Sequence, residues 1–213
     1  MSEKIGFVGY ECEDVIMYLA KCLTEHGKHV VIEDRTEHGI LLQMLEAKYR
    51  IEQGEETEVV FNGIPVTNAM IYSEEYDIVL ICFGYRLLHP KLYECNRLVL
   101  VTDALPAHAL LLRKIEDWER KQILLVKDYT ESKHSLDYLT LLTGQTVDSV
   151  LCLPWEERDK RIRNSLGTAE NIRTEKLSAQ MKEIIRQLEV FALSDEAERE
   201  ENTAGRRVRT WGS

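Results

Sequence analysis

The sequence predicts one α/β domain, in which a mainly parallel sheet carries helices on both faces in a three-layer arrangement. Two patterns predict this fold class. Strand-like apolar runs alternate with longer segments of helical periodicity, and the runs at 76–83 and 97–102 are almost continuously apolar, as strands covered on both faces are. The length of 213 residues suits one large domain, placed at residues 1–193, with a tail at 194–213.

In the first half of the chain, periodicity and turn residues mark five elements. The segment at 14–26 repeats apolar residues every three to four positions and meets Gly27, which is typical of a helix end. The segment at 59–66 contains an Asn-Gly pair, which favours a hairpin or a strand with a turn. The predicted order is a strand at Lys4–Tyr10, a helix at Asp14–His26, a strand at His29–Ile32, a helix at Ile40–Tyr49 and the segment Val59–Val66.

The second half continues the alternation of strands and helices. Such alternation implies right-handed crossover units and therefore a mainly parallel sheet. The predicted strands are Tyr76–Phe83, Arg97–Thr102, Ile123–Val126 and Ser149–Leu153, and the predicted helices are Ala107–Arg120, Ser135–Thr143 and Thr174–Phe191. After Leu193 an acidic stretch precedes a basic end, which together have too little apolar surface to fold, so residues 194–213 are expected to form a disordered tail.

Charge and composition exclude several classes of function. The chain has 37 acidic and 27 basic side chains, and its net charge of −10 repels phosphates, so we expect no nucleic-acid partner. No apolar run approaches the roughly 20 residues that span a bilayer, and the first residues lack a signal-peptide pattern. The sequence predicts a cytoplasmic protein. Any membrane contact is expected to be peripheral and to lie at the inner face of the membrane.

Cysteine and histidine spacing gives no metal-binding motif. The five cysteines are scattered and include no Cys-x-x-Cys pair, which argues against a zinc ribbon and a disulfide framework. The six histidines form no pair at helical spacing and have no acid or cysteine set beside them. The sequence therefore predicts no metal site.

The segment between the first strand and the first helix is the expected ligand site, because open α/β sheets bind ligands beyond the carboxyl ends of their strands. Read as a dinucleotide fingerprint from Gly9, it places Glu11 and Asp14 where glycines are needed. Each carboxylate would repel a pyrophosphate by about 4 kcal/mol, which disfavours an NAD site. As acids at a helix start, Glu11, Glu13 and Asp14 serve either as caps or as a cation or peptide site. The segment comprises Gly9, Tyr10, Glu11, Cys12, Glu13 and Asp14.

The order of elements resembles that of the Min/Par-type ATPases, which are P-loop proteins of the SIMIBI class with a deviant Walker A motif. The resemblance rests on the strand Tyr76–Ile81, on the strand and loop Leu98–Leu105, and on Val150–Pro154 followed by the charged segment 156–159. The resemblance covers nearly all of residues 4–191. It lies in the order of the elements and in the residue types of the strands, and not in identical motifs. It implies a P-loop NTPase-like fold and a domain that dimerises.

The residues that perform phosphoryl transfer in that family are replaced. Alignment on Gly27 puts Cys12 at the Walker lysine and the acids Glu13 and Asp14 at the hydroxyl residues, and the loop is several residues too short to wrap a phosphate. Cys82 occupies the position of the Walker B acid. Glu33 or Asp34 occupies the position of the family's second-strand aspartate and would be a remnant of a metal or nucleotide site. Phosphoryl transfer needs positive charge and a held Mg²⁺, so the chain resembles a pseudo-ATPase. We therefore expect no cofactor, with Mg-ATP as the alternative cofactor.

Among degenerate members of that family, the chain resembles the localisation proteins of tight-adherence (Flp, type IVb) pilus systems. The resemblance implies a non-catalytic scaffold or positioning protein for a membrane-linked assembly. Its partners would be proteins of a secretion or pilus machine and a second copy of the chain. Two alternatives stay open: a Min/Par-like nucleotide switch with weak or altered ATPase activity, and an NAD-dependent enzyme.

Two segments are candidate contact sites for a partner. An aromatic and arginine loop follows a central strand, and its residues serve either an interface or the packing of the loop itself. The basic, aromatic end of the chain is a candidate docking peptide, a weak lipid-headgroup contact or a plain solvated end. The loop comprises Phe83, Gly84, Tyr85 and Arg86, and the tail residues are Arg206, Arg207, Arg209 and Trp211.

Overall fold

The computed structural model describes residues 2–49, 56–71, 73–116, 120–130, 134–168 and 171–209, with the backbone alone at 46–49, 73 and 195–209. The strands are β1 (Glu3–Gly9), β2 (Val30–Asp34), β3 (Glu58–Phe61), β4 (Ile64–Thr67), β5 (Ile78–Gly84), β6 (Arg97–Thr102), β7 (Lys121–Tyr129) and β8 (Ser149–Pro154). The helices are α1 (Glu13–Glu25), α2 (Ile40–Tyr49), α3 (Pro106–Leu112), α4 (Leu136–Thr143), α5 (Glu157–Ser165) and α6 (Ala179–Arg209), with 3-10 turns at Ser73–Glu75, Pro90–Glu94 and Thr174–Lys176.

The strands form one sheet in the order β3-β4-β2-β5-β1-β6-β7-β8. Every neighbouring pair is parallel except β3 and β4, which form an antiparallel hairpin around Asn62 and Gly63. Strands β5 and β6 flank β1 at the centre and are buried along their whole length, as their continuous apolar runs predicted. The predicted α/β class with a mainly parallel sheet is confirmed.

Helices cover both faces of this sheet. On one face, α1 and α6 pack with α2 against β1, β2 and β5, and their apolar side chains form one continuous cluster. On the other face, α3 and α4 pack over β6 and β7, with Leu112 and Leu139 fully buried. Because these strands are parallel, the carboxyl ends of β1, β2, β5, β6 and β7 meet at one edge, where the sequence placed the candidate site.

Three helices differ from the prediction; the third is α6, which begins at Ala179 instead of the predicted Thr174 because Thr174–Lys176 form a 3-10 turn. Helix α3 begins at Pro106 and ends at Leu112, so it is shorter than the predicted Ala107–Arg120. Helix α5 was missed, because its sequence Glu-Arg-Asp-Lys-Arg-Ile-Arg-Asn-Ser contains one large apolar residue and shows no apolar periodicity. Helix α5 carries two of the cations at the candidate site.

Helix α6 continues as far as Arg209, over part of the segment 194–213 for which the composition predicted disorder. The stretch after Ser194 is rich in Glu and Arg, which have high helix propensity and therefore favour a helical backbone. The side chains of Arg206, Arg207 and Arg209, and the whole of Trp211, lie outside the described part of the chain. Within the described residues, none of the helices has the length and apolarity that crossing a membrane requires.

Candidate functional site

The turn after β1 is held tightly against the neighbouring strand β6. Gly9 has φ +116°, and a Cβ built on it would lie 2.0 Å from the carbonyl oxygen of Val101. The backbone N–H of Tyr10 donates to that same oxygen at 2.8 Å. Glu11 then adopts a positive φ of 37°, and α1 begins at Glu13 with no side-chain cap from Cys12. The turn is thus short and closed, without the long glycine-rich loop that wraps a phosphate.

A buried lysine from β7 occupies the space over this turn. Nζ of Lys127 donates to the Asp14 carboxylate at 2.5 Å and to the backbone carbonyl of Glu11 at 2.5 Å. Both side chains of the pair are almost completely buried. Removal of either partner from a desolvated ion pair is strongly destabilising, so Lys127 and Asp14 fasten β7 to the start of α1.

Helix α5 supplies two further cations to the same turn. Arg163 donates to the carboxylate of Glu11, and Nζ of Lys160 lies 3.4 Å from that carboxylate and 2.5 Å from Asp128. Burial would raise the pKa of Glu11, but the hydrogen bond and charge of Arg163, with Lys160 and Lys127, outweigh burial and lower that pKa. We call Glu11, Asp14, Lys127, Lys160 and Arg163 the charge cluster; all five side chains are paired within it.

The acids of the turn are therefore engaged by cations of the chain itself. The sequence left open whether they cap the helix or bind a cation or peptide; Asp14 and Glu11 form the ion pairs of the charge cluster. Sequence inspection missed Lys127, which lies 113 positions after Asp14. A lysine directly after the apolar run of β7 was the available signal, because a charge at the end of a covered strand needs a partner when it is buried.

The two thiols predicted at the Walker positions lie in contact. Sγ of Cys12 is 3.5 Å from Sγ of Cys82, and both residues are fully buried. The contact with Cys12, together with burial, raises the pKa of Cys82 well above its ordinary value, so this thiol stays neutral. Burial also raises the pKa of the neighbouring Glu13. None of these three groups supplies the positive charge that a phosphate needs.

The acidic pair at the end of β2 is also fully engaged. Glu33 accepts hydrogen bonds from Arg35 at 3.1 and 3.2 Å and from Lys91 at 2.7 and 3.0 Å. Asp34 accepts from the hydroxyl and N–H of Thr36 at 2.7 and 3.0 Å and from the N–H of Leu42 at 3.0 Å. Asp34 also lines a cleft of 660 Å³ at this end of β2. Both acids hold their own loops and α2 in place.

Changing Glu33 to Gln should remove part of the acid sensitivity of the protein. Burial opposes ionisation of Glu33, but the hydrogen bonds of Arg35 and Lys91 prevail and lower its pKa in the folded state. A lowered pKa stabilises the fold above the unfolded value of about 4.3, and this stabilisation disappears as pH falls through the folded pKa. We expect Glu33→Gln to lower the free energy of unfolding by about 1–3 kcal/mol at pH 7 and to flatten its decline below pH 4.3.

Urea denaturation from pH 7 to pH 3 measures this effect. The matched control is Glu157→Gln, which removes an acid from the exposed pair with Arg161 and should leave the acid limb unchanged. A decline below pH 4.3 that is equally steep in the Glu33→Gln protein and the unmodified chain would contradict the role of Glu33.

The predicted contact loop is exposed only in part. Phe83 belongs to β5 and is fully buried, its ring centre 5.4 Å from that of His89, because the apolar run extends to the end of the strand. Of the two alternatives left open for this loop, the structure therefore shows packing for Phe83. Tyr85 and Leu88 are 45% and 68% exposed, and Leu105, after β6, is 56% exposed. The accessible apolar surface at this edge therefore includes Tyr85, Leu88 and Leu105.

Comparison with known proteins finds similarity at the level of structure. No protein-family model matches the chain, and no curated protein matches its sequence significantly. The ParA family ATPase from Chlorobium tepidum TLS superposes with a TM-score of 0.63 at 13% identity, covering 89% of this chain and 98% of that one. The MinC:MinD cell division protein complex of Aquifex aeolicus gives a TM-score of 0.65 at 12% identity, covering 88% of this chain and 96% of the matched one. The chain therefore has the ParA/MinD-type P-loop fold, as the resemblance implied.

Proposed function

We propose that this chain is a pseudo-ATPase: a protein of the ParA/MinD-type fold that binds no nucleotide phosphate and acts by contacting other proteins. The observation that carries the proposal is the charge cluster. Lys127, Lys160 and Arg163 are already paired with carboxylates of the turn where a P-loop protein binds phosphate. A phosphate entering this turn would face Glu11 and Asp14 and would compete with them for every nearby cation.

Electrostatics supports this view by magnitude. A phosphate charge about 4 Å from a carboxylate is repelled by about 4 kcal/mol at an effective dielectric constant near 20. Two carboxylates, on Glu11 and Asp14, oppose it. Separating Lys127 from Asp14 to free a cation would expose a buried charge at a further cost of several kcal/mol. A nucleotide that binds with a micromolar Kd has a total binding free energy of about −8 kcal/mol. The electrostatic costs at this turn are as large, so they prevent binding of this strength.

The acids that resemble magnesium-supporting residues also have other roles. Glu33 is held by Arg35 and Lys91, and Asp34 by the backbone and hydroxyl of its own loop. The position matched to the Walker B acid holds Cys82, a neutral buried thiol. Phosphoryl transfer depends on a held metal and on cations around the transferred group, so the chain offers neither part of that chemistry.

The exposed side chains at the same edge favour a protein partner. Tyr85, Leu88 and Leu105 present apolar surface beside the closed turn, where tyrosine and apolar anchors are typical of interface centres. We propose a scaffold or positioning role in a membrane-linked assembly such as a type IVb pilus, at the inner face of the membrane, with homodimer formation and docking of the C-terminal tail as parts of that role.

A nucleotide-dependent switch is the second candidate, because one of the two superposed structures is a ParA family ATPase. Under this alternative the charge cluster opens when nucleotide binds, and Lys127 exchanges Asp14 for a phosphate. The alternative therefore predicts a measurable affinity for Mg-ATP or Mg-ADP that depends on Lys127.

A thermal-shift titration with Mg-ATP, Mg-ADP and NADH tests the proposal. A ligand at 100 times its Kd adds about 2.7 kcal/mol, which corresponds to roughly 5–10 °C for a domain of this size. We expect no shift with any of the three. A shift with Mg-ATP or Mg-ADP would support the nucleotide switch, and a shift with NADH alone would support the NAD-dependent enzyme.

A further inference from the structure

Three side chains with different metal-binding atoms meet where α1 ends. The prediction of no metal site overlooked one pair: Cys22 and His26 are four residues apart, so they lie on the same side of α1 at its end. Glu189 approaches them from α6: its carboxylate lies 3.5 Å from Sγ of Cys22 and hydrogen-bonds with Nδ1 of His26. The thiol sulfur, ring nitrogen and carboxylate oxygen all lie within 4.8 Å of one another, close enough to share one ion.

The surroundings of this group favour a cation. The side chain of Glu189 is only 13% exposed, and in the described part of the chain its hydrogen-bond and ion-pair partners are Cys22 and His26. Thus a mostly buried carboxylate is paired with a neutral thiol and one histidine. The last turn of α1 contains no basic residue, and the C-terminal end of a helix attracts positive charge. The ring of His26 is 61% exposed, so solvent reaches the group.

We propose that Cys22, His26 and Glu189 bind a zinc ion that joins α1 to α6. Thiolate, imidazole and carboxylate are the three side-chain ligands that Zn²⁺ uses, and a mixed sulfur, nitrogen and oxygen set selects it over magnesium or calcium. Binding replaces the thiol proton of Cys22, which is released to solvent. Three protein ligands leave a fourth position open on the solvent side, for water or for a group of a partner protein.

A second group, Cys12, Glu13 and Cys82, also places its ligand atoms within 4.8 Å of one another. Its cysteines are fully buried and Glu13 is 5% exposed. An ion reaches it only if the turn after β1 opens and disrupts the charge cluster. The accessible group at the end of α1 is therefore the better metal site. An experiment can distinguish the two groups, because the accessible group provides one thiolate and the buried group provides two.

Metal titration of the intact, tag-free chain in a non-thiol reductant tests the proposal. We expect calorimetry with zinc sulfate to show one ion per chain. Cobalt, as a spectroscopic substitute, should give a sulfur-to-metal absorption band of one thiolate. We expect zinc binding to weaken by at least roughly 10–100-fold in each of three variants: Cys22→Ser, Glu189→Gln and His26→Gln. Losing a residue that only hydrogen-bonds to a metal ligand already costs this much, and losing a ligand costs more. The side chain of His26 is largely exposed, so its replacement leaves folding intact.

Cys152→Ser is the matched control, because Cys152 is a half-buried cysteine of β8 outside both groups, and this variant should bind zinc as the unmodified chain does. Absence of saturable binding below about 1 mM zinc would overturn the proposal. So would binding that survives both Cys22→Ser and His26→Gln. A cobalt band of two thiolates that is lost in Cys82→Ser would place the ion at the buried group instead.

Discussion

Replacing Lys127 by Met should lower the free energy of unfolding by about 3–5 kcal/mol, the largest effect we expect from a single substitution in this protein. Lys127 is 1% exposed, and its ammonium group is the cation that neutralises the buried carboxylate of Asp14 at 2.5 Å. Methionine fills most of the side-chain volume but leaves Asp14 charged and unpaired in the protein interior. Urea denaturation at pH 7 measures the loss.

Two further variants separate the ion pair from simple loss of packing. Arg161→Gln breaks an exposed pair with Glu157 and should cost less than about 1 kcal/mol. The double variant Lys127→Met with Asp14→Asn removes the unpaired charge and should recover more than about 1 kcal/mol of the loss. If Lys127→Met costs no more than Arg161→Gln, or if the two changes simply add, the ion pair does not hold the turn.

Substitution of Gly9 by Ala should have the next largest effect, with a loss of at least about 3 kcal/mol. Two causes combine at this position. A φ of +116° strains a residue that has a Cβ, and the added carbon would lie 2.0 Å from the carbonyl oxygen of Val101. Since that oxygen accepts the hydrogen bond of Tyr10, the backbone must move and the end of β1 must separate from β6.

Gly63→Ala is the matched control for this substitution. Gly63 also has a positive φ, of 78°, in the hairpin between β3 and β4, but a Cβ there would meet no atom within 4 Å. It should therefore show the conformational cost alone, about 1–2 kcal/mol. The difference in urea denaturation between the two variants reports the close approach to β6. Equal losses in both would contradict that close approach.

Apolar periodicity is a good guide to the sheet and a poor guide to charged segments. Strand β6 matches its predicted bounds, and the hairpin lies at the predicted Asn-Gly, because both depend on local patterns. Helix α5 has almost no apolar residues, so its existence depends on tertiary contacts, such as that of Arg163 with Glu11. Local sequence does not contain that information.

The candidate site shows the same division. The turn after β1, its short length and its acids were readable from adjacent residues. Lys127 and Arg163 were not, because they reach the turn from β7 and α5, far along the chain. The role of Phe83 stayed open between interface and packing, because adjacent residues do not show that His89 packs against its ring. Contacts between distant segments thus determine what the turn can bind.

Calorimetric titration of Mg-ATP into the intact chain is the most direct test of the pseudo-ATPase account, with the Lys127→Met protein titrated in parallel at a temperature where it is folded. We expect no saturable binding up to about 1 mM nucleotide for either protein, because the cations of the charge cluster are already paired with Glu11 and Asp14. One-to-one binding with a Kd below about 100 μM that disappears in the Lys127→Met protein would contradict the account and show that Lys127 binds phosphate.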